Sequence, residues 1–146
     1  MANIFNTDFE ISLRALLLLD AYDSYLSQDI IRDLDLLATY GKEFGVSETN
    51  LHGDNSYSFS EMASRHDIIK NAIKQLVTDG LILVKATSAG FSYKISLKGK
   101  EYVASMESDY VSEYQGEVDK IKLFTRGKSE TEIHNYVYNR ILRRTN

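Results

Sequence analysis

The chain has 146 residues, which suits one domain able to bury its own core, and no cysteine, which excludes disulfides, thiolate metal sites and thiol nucleophiles. Its formal net charge of −4 is uneven: −7 over residues 1–58, +3 over 59–101, −4 over 102–120 and +4 over 121–146. The two basic segments have two interpretations, namely surfaces for phosphate or acidic partners and ordinary solvated charge.

Nothing in the sequence indicates secretion or a membrane span. The start MANIFNTDFE lacks a basic region followed by an apolar one. The longest apolar run, 15–19, is far too short to cross a bilayer. We therefore expect a cytoplasmic protein that makes no membrane contact.

A first helix is predicted from Thr7, because Thr7 and Glu10 have capping-box spacing. Phe9 and Leu13 begin a wide apolar face that includes four consecutive leucines, 16–19. A face this wide must be covered on most sides. We expect it to form the domain core, with part of an interface as the alternative.

A second helix is predicted over 27–44, with Ser27 as its N-cap. The residues expected to face inward are Ile30, Ile31, Leu34, Leu37 and Tyr40. Asp29, Asp33 and Asp35 cannot all serve one metal on this helix, because Asp35 lies well round it from the other two. We interpret the three as a solvated acidic face.

Residues 45–57 predict a long polar loop with Leu51 and His52 in its middle. Loops of this length in compact domains are more often functional or disordered than neutral. Asp54, Asn55 and His52 lack the spacing of a metal site, so a metal here is only weakly indicated.

The central stretch switches from helical to strand periodicity. Its helix is expected to open with a capping box of Ser58 and Glu61 and to end at 79–80, where glycine can adopt the left-handed conformation. The apolar face of this helix comprises Phe59, Met62, His66, Ile69, Ile73 and Leu76. A hairpin follows, with a strand at 81–85, a five-residue turn at 86–90 and a returning strand from Phe91.

Three further helices are expected, at 98–107, at 109–124 and from a capping box of Ser129 and Glu132. The apolar positions of the last two are Tyr110, Tyr114, Val118, Ile121 and Phe124, then Ile133, Tyr136, Val137 and Ile141. Tyrosine combines an apolar ring with a hydroxyl, so this tyrosine-rich end favours a protein partner.

The order of these elements predicts an α+β, mostly α fold: a winged helix-turn-helix with a β-hairpin wing and additional C-terminal helices. An unspecified α+β domain is the alternative. We expect a single domain over 1–146, with a core of about 7–107 and a C-terminal helical extension of about 108–146.

The sequence carries no phosphate-binding loop and no glycine-rich dinucleotide turn. His52, His66 and His134 are far apart, none is spaced with carboxylates, and His66 is expected to be half-buried and satisfied. We therefore expect no enzyme activity, no cofactor and no metal.

Candidate DNA contacts are basic residues of the central helix, the hairpin and the C-terminus: Arg65, Lys70, Lys74, Lys85, Lys94, Arg140, Arg143 and Arg144. A helix in a groove and a hairpin on the backbone could share a duplex. Asp67 lies beside Lys70 and Lys74, and no base-reading arginine cluster is present, so binding is expected to be weak and directed at phosphates.

Several stretches carry a family resemblance: Phe5-Asn6-x-x-Phe9-Glu10-x-x-Leu13-Arg14-Ala15-Leu16-x-Leu18-Leu19, Leu34-Asp35-x-Leu37, Leu51-His52, Arg65 followed by 68–76, and Gly80-Leu81-Ile82. With these residues the chain resembles the type 2 middle component of bacterial ABC-three-component systems, over nearly its whole length. It departs from that pattern with Gly53 where proline is usual and with a single arginine before His66.

The resemblance implies a non-catalytic winged-helix adaptor that binds an ABC ATPase of the SMC or RecN type and couples it to an effector, for example a nuclease. The related Lamassu systems act against phages and plasmids, and double-stranded DNA would reach the chain through the complex. The expected interface residues are Phe9, Arg14, Leu51, His52, Tyr110 and Tyr114. A winged-helix transcriptional regulator and a metal-dependent enzyme using Asp54 and the histidines are the alternatives.

Overall fold

The structure, a computed structural model, describes residues 7–51 and 59–145, without the side chains of 59–64 and 144–145. Within these ranges there are six helices and three strands. In chain order they are α1 (Asp8–Tyr22), β1 (Leu26–Ser27), α2 (Gln28–Thr39), α3 (Phe59–Thr78), β2 (Ile82–Thr87), β3 (Gly90–Ile95), α4 (Leu97–Ala104), α5 (Asp109–Thr125) and α6 (Glu130–Thr145). The expected α+β, mostly α class is confirmed.

The helix starts follow the polar residues that precede them. The hydroxyls of Thr7 and Ser27 each accept a hydrogen bond from a first-turn amide, at 3.2 Å in both cases. Both bonds of the predicted Ser129 and Glu132 capping box are present, at 3.1 Å each. The Ser58 and Glu61 box lies outside the described residues.

The helix ends are less regular than their starts. The end of α3 is confirmed, because Gly80 follows it with φ of +75°. The second helix is shorter than the predicted 27–44, since Tyr40 leaves helical geometry and Gly41 accepts from the amide of Val46 in the following turn. α4 likewise ends at Ala104 rather than at 107.

The three strands form an antiparallel sheet in the order β1–β3–β2. The predicted hairpin is present, but its turn has two residues, 88–89, rather than five. The turn is shorter because Ala86 and Thr87 remain paired, with Phe91 and Gly90 respectively. The hydroxyl of Thr87 also accepts from the amide of Ala89 and donates to the carbonyl of Gly90, which stabilises the tight turn.

The core lies around α1 and α2. α1 packs against α3 and α5, and the leucines at 16–19 are all buried because helices cover opposite sides of α1. α2 contacts α1, α3, α5 and α6, so it has neighbours nearly all round. The C-terminal helices therefore complete the packing around the first two.

This surrounding corrects the interpretation of the acidic residues of α2. Asp33 and Asp35 are buried, and only Asp29 is exposed. Because α2 has helices on most sides, the turn that carries Asp33 and Asp35 has no solvent-facing surface. The Asp35 carboxylate meets basic side chains of α1 and α3, and the Asp33 carboxylate meets a histidine of α6 and an arginine of α2 itself.

Candidate interaction site

Asp35 is the centre of a buried group of charges. Its carboxylate accepts from Arg14 of α1, at 2.8 Å from Nε and 3.3 Å from Nη2. It also accepts from Arg65 Nη1 of α3 at 3.1 Å and from the Tyr114 hydroxyl of α5 at 2.9 Å. We call Arg14, Asp35, Arg65 and Tyr114 the ionic cluster. It links four helices through one carboxylate.

Neighbouring groups complete the hydrogen bonding of the ionic cluster. Arg65 Nη1 also donates to Thr39 Oγ1 at 3.0 Å, and Thr39 donates in turn to the backbone carbonyl of Asp35 at 2.8 Å. The Arg65 guanidinium lies over the Tyr40 ring, 5.5 Å from its centre. Arg14 Nη1 donates to the Tyr110 hydroxyl at 3.3 Å.

The electrostatics of the ionic cluster keep its charges fixed. Burial by itself would raise the pKa of Asp35, but Arg14 and Arg65 outweigh burial and hold this pKa below its ordinary value. Burial would lower the pKa of Arg14, but Asp35 raises it well above the usual range. Burial and the nearby Asp35 charge raise the pKa of Tyr114 well above normal, so its hydroxyl stays protonated and donates.

Three residues expected at surfaces therefore lie inside the protein. Arg14 is 0% exposed and Tyr114 is 0% exposed, so neither side chain is available to a partner in this fold. Arg65 is 2% exposed and paired with Asp35, so it does not reach a DNA phosphate. The sequence partly indicates that Arg14 and Asp35 are buried, because each lies between leucines that are expected to face inward.

A second polar group joins α2 to α3 and α6. His134 Nδ1 lies 2.8 Å from Asp33 Oδ2, and Arg32 donates to the other oxygen of Asp33. Arg32 also lies 3.2 Å from His66 Nδ1 and 3.4 Å from His134 Nδ1. Burial raises the pKa of Asp33, although Arg32 and His134 oppose that shift. Residues that are distant in sequence and showed no motif thus meet here.

His66 is half-buried and hydrogen-bonded, as expected. Across the described residues, no three potential histidine, aspartate or glutamate ligands are grouped as a metal site would require. Asp54 and His52, named above as weak metal candidates, lie outside those residues.

One groove combines apolar lining residues with polar ones, among them Asn71 and Lys98. A space of about 780 Å³ lies between α1, α3 and α4, and its lining includes Leu13, Ala72, Leu76 and Tyr102. Phe9 lines the same groove and is 65% exposed. Phe9 is therefore on the surface, whereas the periodicity of α1 placed it on the apolar face.

Leu51 and Tyr110, also expected at the interface, are less accessible than Phe9. Leu51 is partly buried and packs against the core, and Tyr110 is half-buried against Arg14. His52 lies outside the described residues.

The other candidate DNA-contact residues lie on α3, on the hairpin and on α6. Lys70 and Lys74 are exposed on α3. The ammonium groups of Lys85 and Lys94 lie over the ring of Tyr25, at 5.3 and 5.9 Å from its centre. On α6, Arg140 is half-buried and donates to the Tyr136 hydroxyl, Arg143 is exposed, and the side chain of Arg144 is outside the described set.

Comparison with known proteins identifies a family. A family model described as ABC-three component (ABC-3C) system Middle Component 2 matches residues 4–146. No curated protein and no solved structure matches the chain. Within the part of the chain that the structure describes, none of the helices is both long and apolar enough to cross a bilayer.

Proposed function

The chain belongs to the Middle Component 2 family of ABC-three-component systems, and we propose that it is a non-catalytic adaptor that binds an ABC ATPase of the SMC or RecN type. In this proposal it couples the ATPase to an effector in a Lamassu-like defence complex in the cytoplasm. The observation that carries the proposal is the family match, because it spans residues 4–146 and so covers almost the whole chain.

We further propose that the expected core, about residues 7–107, is a winged helix built from α1 to α4 and the three strands. The order helix, strand, helix, helix, strand, strand supports this arrangement, as does the sheet order β1–β3–β2. In a winged helix, the third helix is the recognition element and the hairpin is the wing. In this proposal α3 is the recognition element and the β2–β3 hairpin is the wing.

The absence of catalysis is supported by how the charged side chains are used. Asp35 is surrounded by two guanidinium groups and a tyrosine hydroxyl, which hold it ionised and leave it no role as a proton acceptor. Asp33 is similarly committed to Arg32 and His134. These two groups serve to hold the helices together, which suits a rigid binding subunit.

For the ATPase contact we propose the groove beside Phe9. A phenylalanine that is 65% exposed at the edge of a groove with apolar and polar lining is a suitable anchor, because aromatic residues in pockets dominate many interfaces. Leu51, His52 and Tyr110 remain proposed as residues that contact the partner or fix the adjacent loop. Double-stranded DNA would meet the complex through weak phosphate contacts, to which Lys70 and Lys74 are available.

Co-expression with the SMC-like ATPase encoded beside this chain tests the adaptor role. The two proteins are expected to co-purify, and Phe9→Ala should weaken the complex about tenfold or more. Leu123→Ala is the matched control, because Leu123 is 64% exposed on α5, outside the groove. A chain that stays monomeric in the presence of the ATPase, or equal effects of the two variants, would refute the proposal.

A transcriptional regulator is the second candidate, favoured by the exposed surface of α3. That surface carries Lys70, Asn71, Lys74 and Gln75, and amide side chains can read adenine in a major groove. This function predicts a sequence-specific footprint that charge reversal at Lys70 and Lys74 abolishes. Binding that depends on charge but not on sequence would rule it out.

A further inference from the structure

β2 forms an open edge of the sheet. Its partner β3 lies between β2 and β1, and no strand among the described residues pairs with the other side of β2. Residues 83–87 are all exposed. An edge strand of this length offers a row of backbone donors and acceptors to any extended segment that approaches it.

The register shows which backbone groups are free. Ser96 donates to the carbonyl of Leu81 at 3.0 Å, and Thr87 and Gly90 close the two-residue turn. Hydrogen-bonded pairs alternate along an antiparallel ladder, so Leu83 and Lys85 bond to β3. The N–H and C=O groups of Ile82, Val84 and Ala86 therefore point outward, away from β3.

The two faces of the hairpin differ in chemistry. On one face, the ammonium groups of Lys85 and Lys94 share the Tyr25 ring, and neither lysine forms an ion pair in the described structure. On the other face, Val84 is 49% exposed, and Phe91 of the next strand is 63% exposed. Leu83, also 49% exposed, shares the face of Lys85 and Lys94 because it pairs with Lys94. An added strand would thus meet a face with two lysines and one leucine, and an apolar face, at alternate residues.

The hairpin, residues 82–95, carries two lysines and no acidic residue, and the nearby Asp23 is already paired with Lys100 at 3.0 Å. Residues 80–100 contain four lysines and no aspartate or glutamate, in a chain whose net charge is −4. A second copy of the chain would bring its own lysines to the same edge, so self-pairing is opposed by like charge. A nucleic acid would use the lysines but neither the outward backbone groups nor Val84 and Phe91.

We propose that β2 accepts an extended acidic segment of a partner protein as a fourth strand. The segment alternates acidic residues, which lie on the face of the sheet that carries Lys85 and Lys94, with apolar residues, which lie on the face that carries Val84 and Phe91. This docking rests on the proposed adaptor role, and it assigns the hairpin to a partner segment at an edge distinct from the groove beside Phe9.

The test uses the full chain and a fluorescent peptide of alternating glutamate and valine. Val84→Pro removes an outward N–H while leaving the bonds between β2 and β3 in place, since proline is tolerated at such edge positions. We expect Val84→Pro and Lys85→Glu each to weaken peptide binding about tenfold. Val84→Ala keeps the backbone N–H and removes only side-chain contact, so it should weaken binding less than Val84→Pro does. The matched control Lys74→Glu should bind as the unmodified chain does.

A peptide methylated on alternate backbone nitrogens cannot donate hydrogen bonds to the edge of β2. It therefore tests the backbone hydrogen bonds without altering the protein, and it can be used if Val84→Pro fails to fold. Absence of binding to the unmethylated peptide would overturn the docking mode, as would equal binding of methylated and unmethylated probes. A 20-base-pair duplex bound in place of the peptide, lost with Lys85→Glu and unchanged with Val84→Pro, would assign the hairpin to DNA instead.

Co-purification with the ATPase is measured on the same preparations, so the two proposals fail separately. A chain that co-purifies but does not bind the peptide retains the adaptor role and loses strand addition at β2. A chain that binds the peptide but does not co-purify loses only the adaptor role.

Discussion

Asp35→Asn should destabilise the protein severely. The substitution leaves Arg14 and Arg65, both buried, facing a neutral amide, and removal of one member of a buried charge group costs about 3–5 kcal/mol. Small domains have total stabilities of about 5–15 kcal/mol. The expected loss is therefore a large part of the whole, and for a chain of this size it lowers Tm by roughly 10–15 °C.

Urea unfolding followed by circular dichroism at pH 7 measures this loss. Asp29→Asn is the control on the same helix, since its side chain is 65% exposed and its replacement should change the free energy of unfolding by less than about 1 kcal/mol. Adding Arg65→Met to Asp35→Asn should recover part of the loss, because it removes one uncompensated charge. A cost below about 1 kcal/mol for Asp35→Asn would refute the assignment of a structural role to this carboxylate.

The other predictions concern pH, close packing and capping. Since the pKa of Asp35 is depressed in the folded state, its contribution to stability is present above about pH 4 and is lost as the pH falls through the folded pKa. The free energy of unfolding should therefore change less between pH 5 and pH 3 in Asp35→Asn than in the unmodified chain. An equal change in the two proteins would contradict the assignment. Gly99→Ala should lower the free energy of unfolding by about 1–3 kcal/mol, because the added Cβ would meet the carbonyl oxygen of Leu81. Gly116→Ala, on the open face of α5, should raise it by about 0.4–1 kcal/mol. Thermal melts that rank the two variants in the opposite order would contradict this assignment of the packing. Ser96→Ala should cost about 1–2 kcal/mol in urea unfolding, since the Ser96 hydroxyl accepts the amide of Gly99 at 3.0 Å and also donates to a backbone carbonyl; an unchanged midpoint would count against this cap.

Local rules predicted much of the secondary structure. Capping residues gave the starts of α1, α2 and α6, because a serine or threonine hydroxyl satisfies a first-turn amide whatever the tertiary context. The end of α3 was also predictable, since Gly80 is suited to a positive φ. The hairpin was predicted as well, but its turn length was not. Alanine and threonine occur in both strands and turns, so the identities of Ala86 and Thr87 do not show where the strand pairing ends.

The polar interior could not be predicted by the same rules. Helical spacing shows which residues share a face, but it does not show how many helices surround that face. Asp35 looked solvent-exposed because aspartate usually is, and its burial depends on Arg14, Arg65 and Tyr114, which lie far away in the chain. The meeting of Arg32 with both histidines is likewise a product of tertiary packing, for which no sequence motif exists.

The wide sequence separation within the ionic cluster has a consequence for synthesis on the ribosome. Arg14 and Asp35 are made first, whereas Arg65 follows 30 residues after Asp35 and Tyr114 follows 79 residues after it. The nascent chain therefore cannot assemble all four members until α5 has emerged. Completion of the interior is thus postponed until the 79 residues that follow Asp35, up to Tyr114, have left the exit tunnel.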